Sequence, residues 1–172
     1  MKMKKLWIGM GLAVAIVLAF AGYSTRASDD EGVLLQAKLS GFEEVPPKVT
    51  NGTGRFRATI NANSISYELT FSDLSTSAFG AHIHFGQRGV NGGIFAFLCG
   101  GGGQADCPAA GGTVTGTITA DNILSPTPDQ GIAAGDFDAA VRAVRSGQTY
   151  ANVHTSRYPG GEIRGQIKVR ED

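Results

Sequence analysis

The sequence predicts an all-β domain, an antiparallel Greek-key-like sandwich or partly closed barrel with one short helix. Three observations lead there. Period-two alternation of apolar and polar residues recurs in run after run, 25 glycines punctuate those runs, and a single stretch repeats at helical spacing. Seven or eight short strands separated by turn signals favour sheets packed on one another over any helical architecture.

Ahead of the first strand, Met1-Lys2-Met3-Lys4-Lys5 is basic and no charge follows from Leu6 to Thr25. A charged start before an apolar run is the pattern of an export signal, and Thr25-Arg26-Ala27 supplies small residues for cleavage after Ala27. The expected division is therefore an export signal over 1–27 and a single domain over 28–172, with its core over about 33–169. An uncleaved run of this length would instead anchor the chain in a membrane, but Gly9, Gly11 and several alanines make it weakly apolar. The expected destination is extracytoplasmic, in the periplasm or the medium.

In Val33–Leu39 the residues Val33, Leu35, Ala37 and Leu39 share one face, and Gln36 and Lys38 the other. Pro46-Pro47 cannot join a ladder, so Gly41–Pro47 is a loop. Phe56, Ala58 and Ile60, then Ile65, Tyr67, Leu69 and Phe71, alternate on either side of Asn61-Ala62-Asn63, which predicts a hairpin. Strands are expected at Ala81–Phe85, at Ile94–Leu98 and across Gly111–Thr119. Phe137, Ala140, Val141 and Val144 stand at i, i+3, i+4 and i+7, with Asp136 to cap the start and Gly147 to end the helix. A closing hairpin joins Tyr150–Thr155 to Glu162–Val169.

Charge narrows the function. Removal of the leader takes Lys2, Lys4, Lys5 and Arg26 and no acid, leaving eleven cations against fifteen acids. A mildly acidic domain without a basic, aromatic-laced cluster is not expected to bind nucleic acid. Cys99 and Cys107, outside the cytoplasm and eight residues apart, are expected to form a disulfide. The sequence offers no nucleophile with a local base, no phosphate loop and no zincin motif, which favours a binding role over an enzymatic one.

The chain has three histidines. His82 and His84, two apart on a strand, present their imidazoles on one side, and His154 lies on a later strand. Three imidazole nitrogens suit copper or zinc, although a His-x-His pair can equally be a solvated surface feature. Asn152 shares the face of His154 and is placed to hydrogen-bond a ring nitrogen. Glu162 and Arg164 also share a face, and the pattern reads as a solvated or cross-strand-paired surface.

The stretches Ala81–Gly92 and Tyr150–Ile167, together with Leu39-Ser40-Gly41-Phe42-Glu43-Glu44-Val45-Pro46-Pro47, resemble the CHRD domain, the module first described in chordin. The resemblance runs over about 33–169 and implies an exported single-domain binding module whose partner is a protein, a glycan or a metal ion. The order His82-x-His84 then His154 is also similar to the copper ligands of copper-zinc superoxide dismutase, without the bridging histidine and the zinc loop. That likeness implies a mononuclear copper site at His82, His84 and His154, with zinc less favoured. It also implies an alternative function, a copper-dependent redox enzyme or a copper carrier.

Overall fold

Alternation becomes burial along the first three strands. The computed structural model describes residues 32–126 and 129–170, so the expected export signal lies outside the described residues. In β1 (Val33–Ser40) Leu35, Ala37 and Leu39 are buried while Leu34, Gln36 and Lys38 are exposed. β2 (Thr53–Asn61) and β3 (Ser64–Ser72) repeat the pattern, burying Phe56 and Ile60 against Ile65, Leu69 and Phe71. The β2–β3 hairpin keeps unbroken register from Thr53↔Ser72 to Asn61↔Ser64. One face of this meander is core and the other is solvent.

The remaining strands are β4 (Ala78–Phe85), β5 (Gly93–Cys99), β6 (Gly112–Ile118), β7 (Thr149–Thr155), β8 (Ile163–Gln166) and the two-residue β9 (Lys168–Val169). All ladders are antiparallel, in the order β5-β4-β7-β8-β1-β2-β3-β6, with β9 beside β1. The chain leaves β3 for the β4–β5 hairpin and returns in β6 to pair with β3, a Greek-key-like path. The sheet curls until its two end strands approach each other, giving the expected all-β, nearly closed barrel.

Three links draw that seam together. The Tyr67 hydroxyl on β3 donates to the Leu98 carbonyl on β5 at 2.6 Å, and Leu124 N–H donates to the Phe95 carbonyl at 2.8 Å. Burial pushes the Tyr67 phenol up to about 12, so it stays a donor. Its reach depends on Gly116 opposite it on β6, where a Cβ would meet the hydroxyl at 2.3 Å. The third link is the expected Cys99–Cys107 disulfide, whose Cα atoms are 5.0 Å apart.

The helix α1 (Phe137–Arg145) forms where its spacing placed it. The Asp136 carboxylate accepts from Ala139 N–H at 2.9 Å, and Gly147, at φ +72°, follows the last turn. Phe137, Ala140, Val141 and Val144 are buried, and the helix lies against β9.

The last strand departs from expectation. The run Glu162–Val169 reads as continuous, but pairing breaks at Ile167, which is fully buried and donates its N–H to the Thr149 carbonyl. β8 pairs with both β7 and β1 before the break, and beyond it β9 keeps only the ladder with β1.

Candidate metal centre

β4 and β7 are buried on both faces, and this sets the site. Ala81 and Ile83 pack into the core, while His82 and His84 project from the opposite face and are still only 7% and 6% exposed. Antiparallel pairing sets His82 opposite Asn152, His84 opposite Tyr150 and Gly80 opposite His154. His154, 7% exposed, is thus the diagonal neighbour of His82 on the adjacent strand. The three rings meet, with centroids 4.7 to 5.7 Å apart. One nitrogen from each lies within 4.8 Å of the others. An ion bonded at about 2.0–2.1 Å holds such nitrogens roughly 3.3–3.6 Å apart, so small side-chain rotations close the set.

Backbone carbonyls fix which nitrogens are free. His84 Nδ1 lies 3.0 Å from the Gly92 carbonyl and His154 Nδ1 lies 3.0 Å from the Pro159 carbonyl. A carbonyl only accepts, so each Nδ1 carries the proton and each Nε2 keeps a bare lone pair. Those two Nε2 atoms and His82 Nδ1 are buried without a hydrogen-bond partner. Three buried ring nitrogens without partners, on three rings that meet, are a costly arrangement for a fold that leaves few buried polar groups unpaired.

The rings are held neutral. Burial, followed by repulsion from His154 and His84, pulls His82 down to about 3. Burial also pulls His84 down to about 4, against the opposing Gly92 hydrogen bond, and lowers His154. Neutral imidazole is the form that ligates metal.

A layer of neighbours orients the site. Tyr150 stacks on His84 at 4.7 Å and 4° between planes, and its hydroxyl accepts from Gly92 N–H. The Arg164 guanidinium lies 3.4 Å from the Tyr150 ring centroid. Phe97 meets His82 edge-on at 4.5 Å. Gly101 and Gly102, inside the disulfide loop, run over the Phe97 ring so closely that a Cβ on either would approach it to 2.7 Å. The disulfide loop therefore backs the ring that backs His82.

Asn152 has a different role from the expected one. Its amide donates to Glu44 Oε1 at 2.6 Å and to the Ile163 carbonyl at 2.8 Å, and the ring N–H groups of His84 and His154 go to backbone carbonyls instead. The amide stands opposite His82 in the ladder, but one donor is turned to the loop that carries Glu44 and the other to β8. Burial raises the Glu44 carboxyl, opposed by the Asn152 hydrogen bond and by the charge of Arg164.

Glu162 and Arg164 are buried as well, at 0% and 2% exposure, and neither is a solvated surface charge. Glu162 accepts from Thr50, from the backbone and side chain of Ser75, and from Thr155. Burial works to raise its carboxyl, but these hydrogen bonds together hold it below its ordinary value. Arg164 donates to the Gln87 and Val90 carbonyls and to Asn91 Oδ1. These two charges tie the connecting loops down over the outer face of β7 and β8.

The model of the CHRD domain matches residues 35–167. The chain belongs to the CHRD domain family. No curated protein matches it. The CHRD match runs from within β1 to Ile167, between β8 and β9, and contains the three histidines and their neighbours. Sequence reasoning on this CHRD domain missed Glu44, Tyr150 and Arg164 as neighbours of the histidines. Tyr150 carried a usable signal, since it stands at period two with Asn152 and His154.

Proposed function

We propose that this CHRD domain is an exported binding module with one mononuclear metal centre, in which His82 Nδ1, His84 Nε2 and His154 Nε2 hold copper. The observation that carries the reading is the meeting of three buried, neutral imidazoles, one nitrogen of each within 4.8 Å of the others, with a ring nitrogen on each left without a partner. Both cysteines are taken by the disulfide, so the donor set is all imidazole. Imidazole serves copper and zinc alike. Copper is favoured by the resemblance of the ligand order, two histidines from β4 and one from β7, to the copper ligands of copper-zinc superoxide dismutase. A bound ion would supply Lewis acidity or, as copper, a redox couple.

Export rests on the leader-like start of the sequence and on the disulfide, which belongs to an oxidising compartment. Metal titration of the exported protein, read as ions bound per chain, tests the reading. One copper per chain is expected, with uptake abolished or weakened at least tenfold in His84→Ala. Unchanged copper uptake in that variant would overturn it, and tighter retention of zinc than of copper would overturn the choice of metal.

A further inference from the structure

Two strands away from the histidines, the outer face of β1, β2 and β9 collects charge. Register puts Lys38 beside Arg55 and Gln36 between Arg57 and Lys168. With Arg88 and Arg170, six of the eleven cations of residues 28–172 lie along this one face, on a domain whose balance is acidic. The acids there are Glu43 and Glu68. Among the described residues Arg88 pairs with Glu43, and the other five cations make no ion pair.

The face is grooved. A depression of about 270 Å³ is lined by Lys38, Arg55, Arg88 and Lys168, with the amide of Gln36. At Gln36 it adjoins a second of about 370 Å³ that reaches Arg57 and Arg170. At Lys38 and Arg55 it adjoins a third of about 450 Å³, bordered by Thr53, Thr70 and Ser72. The strand-borne cations therefore stand one or two strand spacings, about 5–10 Å, apart along a continuous track.

We propose that this track binds a linear acidic polysaccharide, a chain of sugars bearing carboxylates. Guanidinium and ammonium groups meet the carboxylates, and arginine can do so bidentately. The Gln36 amide and the threonine and serine hydroxyls meet sugar hydroxyls. A continuous track suits a polymer rather than a single small anion. The apolar residues under the groove, Leu35, Ala37, Ala58 and Tyr67, turn their side chains into the core, so no aromatic ring is offered for stacking a nucleobase.

The test is calorimetry of the exported protein with oligogalacturonates of increasing length, at 50 and 300 mM salt. Neutral dextran and a single-stranded oligothymidylate of matched charge are the comparators. Binding that tightens with oligouronate length, weakens with salt, and falls at least tenfold in Lys38→Glu/Arg55→Glu is the expected result. Copper uptake by that variant should be unchanged, which shows that the fold is intact. Absence of oligouronate binding at low salt, equal binding by the variant, or oligothymidylate binding that equals that of the oligouronate would each overturn the proposal.

Discussion

The outer faces of the two halves of this barrel begin with the same sequence pattern and end differently. On β1 and β2 the residues alternating with the core, such as Gln36, Lys38, Arg55 and Arg57, stand in solvent. On β4, β7 and β8 the equivalent residues, His82, His84, His154 and Arg164, are buried. Loops make the difference. The segments around Glu44, Gly92 and Pro159 fold over β4, β7 and β8 and are tied down by Asn152, His84 and His154. An uncovered polar face meets its partners through charge, whereas a covered one holds a few polar atoms in fixed directions without water. The first arrangement suits a flexible polymer and the second an ion.

Substitutions should separate the faces by magnitude. Arg164→Ala removes a buried cation from three acceptors and from the face of Tyr150, and should cost about 3–5 kcal/mol of unfolding free energy in urea. If it cost no more than a surface change, the covered layer would not be a stabilising unit. Acid should come next. His82 and His84 titrate near 3 and 4 in the fold, below the ordinary 6.5, so the unfolded chain binds their protons first as pH falls. Stability contributed by these rings is complete above pH 6.5 and is lost toward pH 4, at about 1.4 kcal/mol per pH unit for each. Glu44, raised by burial, acts in the opposite direction and offsets part of this loss. Unfolding at pH 7 and pH 5 on the metal-free protein measures the difference, and a midpoint independent of pH would contradict it.

Smaller effects sharpen the comparison. Replacing Cys99 and Cys107 together by serine should cost about 2–3 kcal/mol through the reopened loop. It should also weaken copper uptake, because that loop backs Phe97 against His82. Tyr67→Phe removes the seam hydrogen bond to Leu98 and should cost about 1 kcal/mol, with copper uptake untouched. On the open face, Lys38→Ala should stay within about 0.5 kcal/mol of the parent.

Most of the fold was legible because one-face burial writes a period of two into β1, β2 and β3, and a period of 3.6 into α1. The break at Ile167 was not, since Ile163, Ile167 and Val169 keep the alternation through it. The histidine set was half legible. His82 and His84 share a face by spacing alone, but their meeting with His154 depends on the β4–β7 ladder between segments some seventy residues apart. Burial of Glu162 and Arg164 was illegible, because a charge under a loop and a charge in water give the same strand pattern. Asn152 was placed on the right face, but the partner that claims its amide, Glu44, comes from a loop more than a hundred residues earlier.

The central claim is that three imidazole nitrogens share one ion. Electron paramagnetic resonance of the protein loaded with one equivalent of copper(II) tests it most directly. The account predicts a single, uniform copper signal with nitrogen coupling from three imidazoles, which loses one nitrogen in His154→Ala. A signal with oxygen-only ligation, or one unchanged in that variant, would contradict it.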